Sequence, residues 1–382
     1  MLNQERCSIT KLLVVIFVLL QLFVVLYYAG IYGKINANFP RFKISMLVSR
    51  YKPIQNKSSL HDHVLKELMK NPIYSKFGIK HAKSRKRVTL LIIVSTGPRR
   101  HDRRQGIRQT WWQECKPTKM VIPECIFMTD HQNPEDKFYN ITKYEASTYK
   151  DMHFQNLTGG IQFGKRFLYH MIYALTYYEF DYFLRADDDY FFCLNNFLQE
   201  LPVPMVHNFH WGWVHCNIDI TRPEESMILL SQDLILRFLQ QDYRSMMCHP
   251  WADQMIGVWS TYMNMTYLFR HDERLHHTPI VKDEPQLRQT ENICHHYMGI
   301  HGAYPKDVRI LWKHRGPTRS VTGNLIANSN ICVIQRTFQW SYFTEVWKYE
   351  PRLCVDDPVW DTSKQFVLHG SYSGRQDVDK QK

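Results

Sequence analysis

No Cys-x-x-Cys pair occurs anywhere in the 382 residues, although the chain has nine cysteines. Zinc sites built on closely spaced thiolates are therefore excluded. Internal repeats are also missing, so a repeat architecture is not expected. The third absence is of long basic tracts. The formal charge is +12 and the pI about 9.2, yet the basic residues are dispersed except in Lys83-Ser84-Arg85-Lys86-Arg87 and Arg99-Arg100-His101-Asp102-Arg103-Arg104. Such a pattern, with the features below, excludes a nucleic-acid partner. Anionic ligands such as nucleotide diphosphates, acidic glycans or lipid head groups fit the positive excess better.

One long apolar run is present. Residues 12–29 are almost unbroken Leu, Val, Ile and Phe, interrupted only by Gln21 and the closing tyrosines, which predicts one membrane helix. The competing reading, a cleaved signal peptide, calls for a shorter apolar core and a small-x-small cleavage site, whereas Tyr27 and Tyr28 suit an interfacial anchor. Arg6 and Lys11 before the span are matched by Lys34, Arg41 and Lys43 after it, so flanking charge leaves the orientation open. Sequons at Asn56, Asn140, Asn156 and Asn264 place the body of the chain on the glycosylated side. Eight cysteines (Cys115, Cys125, Cys193, Cys216, Cys248, Cys294, Cys332, Cys354) follow the span. In an oxidising lumen these are expected to form disulfides, in a connectivity that sequence leaves open. Cys7 stays reduced on the other side and is open to acylation. The expected organisation is a cytoplasmic tail (1–11), a transmembrane signal anchor (12–29), a luminal stem (30–87) and a catalytic domain (88–382).

Within that domain, residues 88–94 form a continuous β-branched run of the kind buried on both faces of a parallel sheet. It ends at Ser95-Thr96-Gly97-Pro98, and a helix is predicted through residues 106–112. Short strands are predicted at 125–128 and 180–184, with helical spacing over 161–178 between them. Alternating strands and helices indicate an α/β domain with a mostly parallel sheet. Ligands of such sheets bind outside the carboxyl ends of the strands, where Ser95 and the run Asp187-Asp188-Asp189 both fall. Three adjacent acids repel one another, and a neutral core has little use for them. A hard divalent cation takes carboxylate oxygens and keeps part of its shell for phosphates. The alternative is a solvated acidic turn, but Tyr182, Phe183, Tyr190, Phe191 and Phe192 place the acids at the rim of a core.

Five segments in order over residues 89–314 resemble the β-1,3-glycosyltransferases of glycosyltransferase family 31. They are Arg104-Gln105-Gly106-Ile107-Arg108-Gln109-Thr110-Trp111; Tyr149-Lys150-Asp151-Met152 with Asn156-Leu157-Thr158; Arg185-Ala186-Asp187-Asp188-Asp189; Trp251-Ala252-Asp253-Gln254-Met255-Ile256-Gly257; and Ile300-His301-Gly302-Ala303-Tyr304-Pro305 with Leu311-Trp312. Met227-Ile228-Leu229-Leu230-Ser231 is similar to that family's Tyr-Val-Leu-Ser. Three departures stand out. Ala252 replaces the glutamate of an acidic pair, Gly160 stands where lysine is usual, and Arg222-Pro223-Glu224-Glu225 replaces a Gly-rich lead-in.

The resemblance implies a GT-A-like nucleotide-sugar-binding fold in a single-pass type II protein of the Golgi membrane. It implies an inverting hexosyltransferase that uses Mn²⁺ or Mg²⁺ and moves a sugar, galactose first, from a UDP-sugar to a glycan on a glycoprotein or glycolipid. N-acetylglucosaminyl or N-acetylgalactosaminyl transfer and a non-catalytic glycan-binding relative are the alternatives. Asp189 would ligate the cation, with His301 completing the site, set against a surface histidine in a stretch that also holds His295 and His296. Asp187 would lie near the ribose and Asp188 would orient the cation through water. Asp253 would be the base that deprotonates the acceptor, or else an N-cap opening a helix over residues 254–261. Arg104 and Arg108, four apart, would share one helix face and either meet the diphosphate or brace the sheet. Trp211 and Trp213 are candidates to stack on sugars, or core tryptophans.

Overall fold

The computed structural model describes residues 65–80, 82–157, 162–217, 220–277, 285–318, 327–328 and 349–360. The chain divides at residue 63, and everything described belongs to the unit from Val64 onward. The expected tail and apolar span lie outside the described residues, as do Asn56, Gly160 and Cys332. Among the described residues no helix is long and apolar enough to cross a membrane.

The chain-order elements that matter for the site are β1 (Leu90–Thr96), α1 (His101–Arg108), β2 (Pro123–Asp130), α2 (Tyr139–Tyr149), β3 (Met152–Gln155), α3 (Phe163–Tyr177) and β4 (Tyr182–Asp187). Next come β5 (Tyr190–Phe192), α4 (Leu194–Glu200), β6 (His210–Trp211), β7 (Val214–Asn217), β8 (Ile220–Pro223), β9 (Met227–Ser231) and α5 (Gln232–Leu239). α6 (Ala252–Tyr262), β10 (Leu275–His276), β11 (Gly299–His301) and α7 (Pro305–Lys313) complete the set. The six-stranded sheet runs β3-β2-β1-β4-β9-β6. Its first four strands are parallel, while β9 lies antiparallel to both β4 and β6. It is thus a mixed sheet with a parallel half. The alternating strand–helix pattern produces that half, because each helix returns the chain to start the next strand in the same direction.

β1 is buried along its whole length. Leu91 and Ile93 enter the core on one face with α3, α5 and α6, while Leu90, Ile92 and Val94 enter the core on the other with α1 and α7. Burying each of these side chains is worth roughly 1.5–3 kcal/mol, which is why an unbroken apolar run makes a central strand. The chain moves outward from β1 through β2 to β3, then returns to place β4 on the other side of β1. That reversal makes the carboxyl ends of β1 and β4 the switch point of the sheet, and Ser95 is in register with Asp187 there.

The structure begins the domain earlier than the expected stem boundary. Leu65, Leu68, Ile73, Tyr74, Phe77 and Ile79 are buried in the core that also contains α3 and α5. The Tyr74 hydroxyl donates to the Leu239 carbonyl at 2.9 Å. Their apolar character was diluted by neighbouring Lys and Asn, so no clear helical stripe marked them. Helix and strand ends also shift: α1 starts at His101 and ends before residues 109–112, and β4 reaches Asp187. Among the described residues, disulfides join Cys115 to Cys125, Cys193 to Cys294 and Cys248 to Cys354. Asn140, Asn156 and Asn264 are all exposed.

Candidate active site

β4 delivers the acidic run to the switch point, and the turn that follows sends consecutive carboxylates in different directions. Asp188 turns inward and is 2% exposed. Its oxygens accept from the Thr96 hydroxyl at 2.7 Å and from Arg100 and Arg103 at 2.9 Å each. Burial alone would raise its pKa, but the two guanidiniums and the hydroxyl outweigh it and hold the carboxyl down at about 2. Asp188 is therefore a buried anchor of α1 and the β1 loop.

Asp187 and Asp189 face the other way and meet His301. One ligand atom from each of the three lies within 4.8 Å of the others. His301 arrives because β11 pairs with β5, setting His301 opposite Tyr190. The Ala303 N–H donates to the Asp189 carbonyl at 2.8 Å, fixing the same turn. Gly299 is required in this strand, since a Cβ there would lie 2.3 Å from the Tyr190 ring. Nδ1 of His301 lies 2.8 Å from the His277 carbonyl. A carbonyl only accepts, so Nδ1 carries the proton and donates. Nε2 is left facing Asp189, 3.8 Å away. Burial, then the repulsion of Asp189 and Asp188, pushes Asp187 up to about 6 against the pull of Arg185, whose guanidinium lies 2.7 Å from it. Crowded hard carboxylates with one oriented imidazole are a donor set that suits Mn²⁺ or Mg²⁺.

Asp253 comes from α6. The structure starts this helix at Ala252 with Trp251 in the cap position, so Asp253 is in the first turn and is not the N-cap. It is 7% exposed. Arg222 donates to one carboxylate oxygen and the Gln254 N–H to the other, the latter at 2.7 Å. Burial raises its pKa; Arg222 opposes that and Glu224 adds to it. A chain of contacts connects it to the cluster. Arg185 pairs with Asp187 and also donates to the Glu225 carbonyl, and the Glu225 carboxyl accepts the Ala252 N–H at 3.1 Å. Glu224, beside it, is ion-paired with His215.

Arg104 is fully buried and directs its donors to Glu145, the Thr96 hydroxyl and the carbonyls of Gly97 and Pro98. Arg108 meets Glu145 and Asp151. Both do share a helix face, and that face clamps α1 to α2 and the β3 lead-in. Ser95 is buried on β1, in register with Asp187. Trp211 is a core residue: it stacks on Phe197 with ring centroids 4.4 Å apart and donates to Asp272. Trp213 is half-buried and packs against His271 and His277, at centroid distances of 4.5 and 4.1 Å. Sequence reading passed over Arg100, Arg103, Arg185, Arg222, Glu224 and Glu225. The first two were visible only as part of a basic cluster, and the last three only as a departure from a Gly-rich pattern.

Fold and site together define a mixed α/β protein with a cation-competent side-chain cluster at the switch point of its sheet. Comparison with known sequences makes this specific. Residues 102–222 match the family model described as Galactosyltransferase. The human lactosylceramide 1,3-N-acetyl-beta-D-glucosaminyltransferase is 30% identical over 162 residues, covering 38% of this chain and 41% of the relative. The likeness thus spans about two-fifths of that relative's length. It bears out the resemblance read from the motifs: over the matched residues the chain is similar to glycosyltransferases of family 31. The matched span contains Asp187 to Asp189 and all of α1 but His101, whereas Asp253 and His301 lie beyond it and rest on the motif resemblance and the site's geometry.

Proposed function

We propose that this chain is an inverting, cation-dependent β-1,3-glycosyltransferase that moves a hexose from a UDP-sugar to a glycan hydroxyl on a glycoprotein or glycolipid. In this reading residues 12–29 anchor it in the Golgi membrane as a single-pass type II protein. One observation carries the proposal: the Asp187–Asp189–His301 cluster at the sheet's switch point is linked through Arg185 and the Glu225 loop to a shielded carboxylate, Asp253.

Asp187, Asp189 and His301 would hold Mn²⁺ or Mg²⁺, with His301 fixed in the required tautomer by its bond to the His277 carbonyl. When bound, the cation neutralises charge on the departing diphosphate. Arg185 keeps Asp187 aimed outward. Asp188 supports the turn from below and does not touch the ligand. Asp253, raised by its buried setting and aimed by Arg222, takes the proton of the acceptor hydroxyl. As that oxygen forms its bond to the anomeric carbon, the bond from this carbon to the diphosphate breaks and UDP leaves. A single displacement inverts the anomeric centre, so an α-linked donor gives a β-linkage.

Galactose is the first donor sugar to try, given the family description. N-acetylglucosamine is the second reading, favoured by the name of the human relative. Ala252, which removes one acid, favours a non-catalytic glycan-binding relative. The deciding experiment measures UDP release from a panel of UDP-sugars with Mn²⁺ or a chelator and a panel of glycan acceptors, using wild type, Asp189→Ala and Asp253→Asn. Cation-dependent release lost in both variants is expected. Donor binding that needs Asp189, with no turnover on any acceptor, would establish the non-catalytic reading instead.

A further inference from the structure

The residue that opens α6, Ala252, has no group to place at the helix's amino end, and Trp251 in the cap position makes no side-chain hydrogen bond there. Oε1 of Glu225 takes that place, accepting the Ala252 N–H at 3.1 Å from the turn between β8 and β9. A carboxyl at a helix amino terminus meets unpaired N–H groups and the positive end of the helix dipole. The turn that carries Glu225 is itself tied down. Its carbonyl accepts from Arg185, whose other contact is Asp187, and Arg222 just upstream on β8 pairs with Asp253. The Glu225 carboxyl is thereby set beside the residue next in sequence to its partner, Asp253.

We propose that Glu225 is a positioning residue for Asp253, its carboxyl docked on the first N–H of α6 so that the two acids form one centre fed from two separate elements. This deepens the assignment of Asp253 as base and rests on it. The charged groups facing the pair are Arg222 and Glu224 from the β8–β9 segment, His215 from β7 through its bond to Glu224, and Arg185 and Asp187 from β4. Burial, then the charge of Asp253, drives the Glu225 carboxyl well above its usual range, with Arg185 opposing and Asp187 adding. Asp253 is raised by its own burial, so the two carboxyls titrate as a coupled pair. The Glu225 carboxyl holds an acceptor oxygen at the Ala252 N–H. The carboxyl missing at position 252 is thus supplied in space by residue 225.

Two readouts on the full-length chain test this. In infrared titration of protein without substrate, wild type should show a protonated-carboxyl component persisting above the ordinary glutamate range of about 4.3. That component should be lost in Glu225→Gln while the Asp187 component stays, and in Asp253→Asn it should titrate lower. In turnover assays Glu225→Gln, which keeps an acceptor oxygen for the Ala252 N–H, should stay within about threefold of wild type in kcat, while Glu225→Ala falls about tenfold or more at unchanged donor KM. A Glu225 component that stays put in Asp253→Asn overturns the proposal, as does a Glu225→Gln enzyme as slow as Glu225→Ala. Absence of turnover in wild type would refute the transferase reading alone, and the infrared titration would still decide whether the two carboxyls act as one centre.

Discussion

Asp187, Asp188 and Asp189 are consecutive but meet different surroundings, so their removal should have different consequences. Asp188 neutralises Arg100 and the buried Arg103. Asp188→Asn deprives Arg100 of its carboxylate and leaves Arg103 only the longer contact to Asp189 at 3.3 Å, and should cost about 3–5 kcal/mol in chemical denaturation. Because the Asp188 pKa is depressed to about 2, its stabilisation is full above the unfolded value of about 3.9 and is lost as pH falls toward the folded one. The gap between wild type and Asp188→Asn should therefore close by about pH 2. Asp189→Asn instead relieves crowding with Asp187, and its stability should stay within about 1 kcal/mol of wild type. The cation response separates the two roles further. Manganese at a hundredfold excess over its Kd should stabilise wild type by about 2.7 kcal/mol in thermal melting, and Asp189→Asn should show no such gain. Asp187, at about 6 in the metal-free protein, must shed its proton to bind, so the manganese effect should fade as pH drops below about 6.

At the scale of elements, the clamp between α1 and α2 shows what spacing reveals and what it leaves out. Arg104 and Arg108 are four apart, so a shared helix face was legible. Their common partner Glu145 lies 41 residues beyond Arg104, and nothing local in the sequence couples those positions. The same limit hid the contact of Glu225 with α6, and the approach of His301 to Asp189 was implied by the family resemblance alone, since both are products of long-range pairing. Glu145 is worth testing directly. Burial would raise its pKa, but hydrogen bonds and charge from Arg104, then Arg108 and His101, hold it down at about 2. Glu145→Gln should lose about 3–5 kcal/mol near neutral pH. A depressed carboxylate stabilises above its unfolded pKa, so this deficit should shrink as pH falls from about 4 to about 2. The variant should keep the infrared signature of the Asp253 centre, since no contact of Glu145 reaches it.

For the whole molecule, long apolar segments were legible and short ones were not. β1 shows as an unbroken apolar run and α3 by its helical spacing, and burial decides their structure. β5, β10 and β11 have only two or three residues each, too few to show any period, yet their small sheet brings His301 to Asp189. Covalent linkage compensates for that brevity. Cys193 immediately follows β5, and Cys294 lies shortly before β11. Their disulfide spans a sequence separation of 101, and closing a loop of that size removes denatured-state entropy worth about 4.7 kcal/mol. The Cys193 N–H also donates to the Met298 carbonyl at 3.0 Å, so the bond ties together the two strands that hold opposite sides of the cation cluster. Replacing both cysteines by serine should lower stability by about 4–5 kcal/mol and also reduce the manganese-induced melting shift, because Asp189 and His301 then lose their shared tether. The Cys115–Cys125 pair is the control, with a separation of 10 and one end on β2. Its replacement should cost about 2.7 kcal/mol on the same entropy argument and leave the manganese shift intact. Equal loss of that shift in the two double variants would mean that the cluster depends on stability in general and not on the strands that Cys193 and Cys294 join.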